Sequence, residues 1–216
     1  EDLSIRGSDD IPALDGLDGS LHWGPRGGEL RLASHFLSVS GAPLAAPVEL
    51  ALEGAVAVQR RTTGLGLTIR ALRLDNADLD ATLDGSVDIH QGDTWLDLRL
   101  AVNHLALAQL SRYLPATRMK PKLVNWLRQA LVAGRVSEGE GVFRGRLAAF
   151  PFEDDEGLFE LRLPVSRVVL DYTPQWPALE QGHGEVRFHN RSFSVTVDGG
   201  RLLDTELRRA QAQIQT

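Results

Sequence analysis

The 216-residue sequence has no cysteine, one methionine and only two lysines, Lys120 and Lys122. Without cysteine there is no disulfide, no thiol nucleophile and no thiolate-ligated metal. No apolar run approaches the ~18 residues that a membrane-spanning helix needs. Also missing are a GxSxG nucleophile elbow, a GxxxxGK phosphate loop, a GxGxxG turn between strand and helix, and HExxH or HxxxH spacing among the six histidines. Nothing here points to an enzyme, and no cofactor or metal is expected. Asp80-x-Thr82-x-Asp84-Gly85 opens like a calcium loop, but Gln91 stands where a bidentate Glu is required, and strand alternation holds such carboxylates apart. The 29 acidic residues outnumber the 23 basic ones, which excludes the basic domain face of a nucleic-acid binder.

What is present is period-2 alternation. Leu79, Ala81, Leu83, Gly85, Val87 and Ile89 alternate with Asp78, Asp80, Thr82, Asp84, Ser86 and Asp88, which puts the apolar groups on one face of a strand and the carboxylates on the other. Leu96, Leu98, Leu100 and Val102 repeat the pattern after a hairpin at Gln91-Gly92-Asp93. Val48, Leu50, Leu52, Val56 and Val58 share one parity. Phe159, Leu161, Leu163 and Val165 keep one parity before Val168, Leu170 and Tyr172 take the other, so a bulge belongs near Pro164 to Arg167. Val186 and Phe188, a turn at Asn190-Arg191, and Phe193, Val195 and Val197 make a last hairpin. Nine or ten strands are expected in sequence order and mainly antiparallel. The residues placed on a shared concave apolar face are Leu79, Leu83, Val87, Leu98, Leu100, Phe159, Leu161, Val186, Phe188, Val195 and Val197.

One stretch departs from this pattern. From Ser111 to Ser137 there is no Asp or Glu, and Arg112, Arg118, Lys120, Lys122, Arg128 and Arg135 stand unopposed, leaving 17 basic against 29 acidic residues elsewhere. Pro121 suits a first helical position and Gly134 a residue just past the end, which predicts a helix over 121–133 within a helical insert at about 106–134. Leu123, Trp126, Leu127, Ala130 and Leu131 fall on one helical face. Lysines at a helix start oppose its dipole, so a partner other than the helix is expected for them. Lys120, Lys122, Trp126 and Arg128 are therefore the candidate contacts for lipid head groups, with Leu123, Trp126, Leu127 and Leu131 over an open end of the apolar face. A simple end cap is the bland alternative.

The ordered motifs Leu110-Ser-Arg-Tyr-Leu-Pro115, Leu123-Val-Asn-Trp-Leu127, Gly134-Arg-Val136, Arg144-Gly145, Phe150-Pro-Phe152, Leu170-Asp-Tyr172 and Trp176-Pro177 resemble the AsmA-like family of Gram-negative envelope proteins, to which TamB is related. The resemblance covers residues 105 to 200, and residues 1 to 104 match only in style. It implies a long curled periplasmic β-sheet of the β-groove or β-taco type, apolar inside and charged outside, which carries phospholipid between the inner and outer membranes. It also implies that this chain, which starts at Glu1 in strand-like sequence, is a single segment (1–216) of a longer groove, with an inner-membrane anchor outside it.

Covering area supports the same expectation. Ten strands at about 4.8 Å make a sheet roughly 45 Å wide, whereas a helix of about 13 residues is about 20 Å long and cannot cover it. Either the sheet folds onto another as a filled sandwich, or its apolar face serves something that is not protein. Phospholipid acyl chains fit the second case, with a membrane surface or envelope proteins as further partners. A structural or assembly β-sandwich module of the envelope, without lipid transport, is the alternative for the first.

Overall fold

The computed structural model describes residues 3–7, 12–153, 156–173 and 175–214. Its first half is a run of strands: β1 (Leu3–Ile5), β2 (Ala13–Leu17), β3 (Gly19–Gly24), β4 (Gly27–Ser40), β5 (Val48–Arg61), β6 (Gly64–Asp75), β7 (Leu79–His90) and β8 (Asp93–Ala106). A helical stretch follows, with a 3-10 turn at Leu107–Gln109, α1 (Leu110–Tyr113), a second 3-10 turn at Ala116–Arg118 and α2 (Pro121–Ala130). The second half contains β9 (Leu131–Val136), β10 (Gly139–Arg146), a 3-10 turn at Leu147–Ala149, β11 (Leu158–Leu170), β12 (Leu179–His189), β13 (Ser192–Leu202), β14 (Thr205–Leu207) and β15 (Ala210–Ile214).

All the strands belong to one antiparallel 15-stranded sheet whose order follows the chain. The expected nine or ten strands are exceeded because several positions in the sheet are shared by two short strands. β2 and β3 both pair with β4, β9 and β10 occupy one slot between β8 and β11, and β14 and β15 share the outer edge of β13. β9 and β10 amount to one strand interrupted at Ser137–Glu138, where Glu138 has φ +57°. The expected helix over 121–133 ends early, at Ala130. Leu131–Val136 instead pairs with β11, and its end with β8, because both offer backbone edges that only a strand can satisfy. Gly134, expected just past the helix, therefore lies within β9.

Register carries the apolar parity from strand to strand. Val56, Ile69, Gly85, Leu98, Phe143 and Phe159 form one continuous row across β5, β6, β7, β8, β10 and β11. Where the parity of a single strand slips, a one-residue bulge restores it. Ala71, with φ +46°, lies between Ile69 and Leu72, and Arg167, with φ +53°, lies between Val165 and Val168 at the expected bend. Gly85 has φ +139°, and a Cβ there would run into the Asp97 carbonyl oxygen, so only glycine fits at the centre of the row. The opposite face carries cross-strand ion pairs, among them Arg73–Asp80 (3.1 Å), Arg144–Asp97 (3.2 Å) and Arg162–Glu185 (2.6 Å), all well solvated. Arg31 beside Glu29 holds that carboxyl below its ordinary range.

Burial is concentrated at one end. Leu37, Val48, Leu50, Leu52, Ala81, Val102, Leu105, Val136 and Val168 are all buried, and all lie toward the strand ends nearest the helical stretch. At the opposite ends the same face exposes Leu21 (60%), Trp23 (55%), Leu65 (39%) and Ile89 (37%). Between the two ends, Leu83, Val87, Leu96, Leu98 and Leu100 are half-buried. The two ends should thus respond differently to charge. Val136→Asp should strand a carboxylate in a dry site and cost about 3 kcal/mol or more, whereas Ile89→Asp should cost about 1 kcal/mol or less; urea unfolding of both variants measures the contrast.

Candidate lipid-facing site

The register places all eleven residues proposed for the groove on this one face. Leu83 is opposite Leu100, Val87 opposite Leu96, and Leu79 opposite Leu105. Leu98 is opposite Phe143, and Leu161 opposite Phe188. Phe188 faces Phe193, and Val186 faces Val195. Val197 faces Ala210 of β15. In the middle of the sheet, β10 presents Gly139, Gly141 and Gly145 to the face. The Leu163, Val102, Leu161 and Leu100 side chains close over the first two, so a Cβ on Gly141 would sit 3.2 Å from Leu161 Cδ1. The sheet is thinned along β10 and its neighbours lean together there.

A phenylalanine band that the alternation pattern did not reveal crosses this face at the exposed end. Six of the seven phenylalanines join in it, from Phe193 and Phe188 (ring centroids 4.9 Å apart) through Phe159 to Phe143, Phe150 and Phe152. The turn after β10 folds both rings back over the sheet: Phe152 fills the space left at Gly145 and Gly157 and becomes buried, while Phe150 packs on Phe143 and Phe159 and stays 46% exposed. The available signal was Phe150-Pro-Phe152 itself: two aromatics flanking a proline imply a compact turn with both rings turned inward.

The buried end is closed by the helical stretch, through different residues from those expected. α2 makes its main contacts with α1, the turn at Ala116–Arg118 and β9, and it buries only Ala130. Leu123 and Trp126 remain 45% and 41% exposed, and Leu131 belongs to β9. The covering is done instead by Tyr113 of α1, which packs against both buried clusters, the one on β4 and β5 and the one on β7, β8 and β9. Its hydroxyl donates to Asn76 Oδ1 (3.1 Å). Asn76 is tied in turn by the backbone N–H groups of Asp78 and Leu79 (2.9 Å each), and it donates through Nδ2 to the Glu49 carbonyl (2.7 Å). Arg112 donates to Asp78 (3.2 Å), and the Thr117 N–H to the Pro43 carbonyl (3.2 Å). The stretch from β8 to β9 is therefore a strap across the strand ends, pinned at the β4–β5 and β6–β7 turns.

Outside the strap, Trp126 donates its indole N–H to the Tyr172 carbonyl (3.2 Å), and the Tyr172 and Trp176 rings lie 6.3 Å apart. Lys120 and Lys122 are exposed, and no carboxylate among the described residues pairs with them or with Arg128, which donates to Asn125 (2.8 Å). The Arg118 side chain lies outside what the structure describes. No group of three His, Asp or Glu side chains among the described residues is placed to hold a metal. Asp80 and Asp84 are engaged on the outer face, Asp80 by Arg73 and Asp84 by the Ala71 N–H (2.7 Å). No helix among the described residues is long and apolar enough to cross a membrane.

Burial pushes the Tyr113 phenol above its ordinary value. Its folded pKa thus exceeds that of the unfolded chain, so the associated stability is complete below about pH 10 and is lost as pH rises through the folded value. Tyr113→Phe should cost about 1 kcal/mol at neutral pH through the lost hydrogen bond, and it should abolish this alkaline loss. Thermal melts of both proteins between pH 7 and 11 would show it.

Comparison with known proteins agrees with this architecture. The intermembrane phospholipid transporter YhdP of Escherichia coli (strain K12) is 29% identical over 110 residues, which cover 51% of this chain and 9% of that protein. No solved structure matches the chain. The model of the YhdP protein family matches residues 1–216, so this all-β chain, with one apolar sheet face and a helical strap, belongs to the YhdP family.

Proposed function

We propose that this chain is a periplasmic stretch of an intermembrane bridge, and that phospholipid acyl chains travel between the inner and outer membranes along the apolar face of its sheet. The observation that carries this reading is an apolar parity that runs from β4 to β13, with no second layer among the described residues over its half-buried middle. A relative named as an intermembrane phospholipid transporter supports it. Sliding along such a face requires no catalytic group. It requires an apolar lining, supplied here by Leu79, Leu83, Val87, Leu98, Leu100, Phe159, Leu161, Val186, Phe188, Val195 and Val197. Lys120, Lys122, Trp126 and Arg128, on the outside of the strap, contact anionic head groups or an acidic envelope partner.

Leu98→Asp separates transport from the rival reading of a filled structural module. In an open groove it leaves the fold intact and places an ion in the path of the acyl chain, so photo-crosslinking from position 100 to phospholipid should fall at least tenfold. Arg99→Asp, on the opposite face, should leave crosslinking unchanged. A lowered melting temperature for Leu98→Asp, with no lipid adduct in the folded wild type, would favour the structural module. For the strap, Lys120→Glu combined with Lys122→Glu should weaken binding to anionic vesicles, and rising salt should weaken binding of the wild type.

A further inference from the structure

The apolar parity has one charged exception. Along β5 the residues facing the apolar side are Val48, Leu50, Leu52, Gly54, Val56 and Val58, and the next in the series is Arg60. Arg60 is opposite Leu65, which is opposite Ile89, which is opposite Thr94, so it begins the last row of the face at the end away from the strap. Arg60 is exposed beside Leu65 and Ile89, two apolar side chains that are themselves more than a third exposed. Its backbone N–H donates to the Arg26 carbonyl (2.9 Å), which brings the β3–β4 turn and a second exposed arginine to the same corner. No carboxylate among the described residues pairs with either arginine, although the next residue, Arg61, is held by Asp88 on the outer face (2.7 Å). Trp23 lies against Gly28 on the same edge, 55% exposed, and one strand position from Arg60 a depression of about 480 Å³ is lined by Arg26, Val58, Gln59 and Glu29, the last already paired with Arg31 and Arg70.

We infer that this corner, with Arg60 as its centre and Arg26 beside it, is a binding site for the phosphate of a phospholipid whose acyl chains lie on the apolar face. The inference rests on the transport reading above and adds the position of the head group. Two free guanidiniums and an indole, at the edge where an apolar face meets water, suit a molecule with an anionic head and an apolar tail. The lengths agree. One leaflet's acyl chain occupies half of the ~30 Å hydrocarbon thickness, or about 15 Å, which is four to five residues of strand. Counted from the Arg60 row, that reach ends at the row of Val56, Ile69, Gly85 and Leu98, where Gly85 contributes no side chain. The tail would cross Leu67, Val87 and Leu96 on the way.

The test places a photo-reactive side chain at position 96 of the purified chain and offers vesicles of phosphatidylglycerol or, separately, diacylglycerol with the same acyl chains. Arg60→Glu should reduce the phosphatidylglycerol adduct about tenfold, leave the diacylglycerol adduct and the melting temperature unchanged, and be largely rescued by Arg60→Lys. An undiminished phosphatidylglycerol adduct in Arg60→Glu would overturn the head-group site while leaving the groove reading intact. An equal loss of the phosphatidylglycerol and diacylglycerol adducts in Arg60→Glu would trace the effect to the apolar face and overturn it as well. No adduct from either lipid in the folded wild type would remove the groove reading and this inference together.

Discussion

Hydrogen bonding between neighbouring backbones is the constraint on which this molecule depends. Each ladder fixes which residue of one strand stands opposite which residue of the next, and the side-chain period of 2 then decides which face each one joins. A slip of one residue anywhere would turn a leucine row outward and an aspartate row inward. The bulges at Ala71, Asn103 and Arg167 are among the places where a strand gains one residue and its neighbour does not, so that the face stays apolar beyond the irregularity. The charged face follows without further specification, since arginines and carboxylates on adjacent strands meet as pairs.

Much of the sheet was legible because its information is local. The alternation from Leu79 to Ile89, the turn at Gln91–Gly92 and the bend before Val168 can each be read within a dozen residues, and the structure has β7, β8 and the β11 bulge there. The strap was legible only in part. Helical periodicity continues through Leu131, but whether Leu131–Val136 is helix or strand depends on open edges of β8 and β11 that lie some 30 residues away on either side. Tyr113 gave no sign of its role, because its partner Asn76 is 37 residues earlier in the chain. The eleven proposed lining residues follow from parity alone and share a face by register, whereas what passes over them is a matter of chemistry that parity does not encode. Arg60 was readable as the single break in an apolar series, but its meaning required knowing which end of the sheet is open.

The glycines of β10 and the folded-back phenylalanines show how a sheet this wide shapes its own surface. Removing side chains along one strand lets the neighbouring leucines lean over it, while Phe152 fills the space at the other end of the same strand. The lining is uneven as a result: aromatic toward β13 and aliphatic toward β5.

The unequal burial along the strands also sets how the molecule moves. At the strapped end, side chains of five or more strands share two dry clusters, and separating any pair there exposes all of them. At the far end, apart from the phenylalanine band around β10 and β11, the hairpins of β5 to β8 are held mainly by ladder bonds open to water. Amide protons of Leu50, Val102 and Val136 should therefore exchange only with global unfolding, while those near Leu65 and Ile89 exchange through local fraying. A substitution at the tips of β5–β8 is therefore felt by one hairpin, whereas a substitution beneath Tyr113 is felt by the whole sheet.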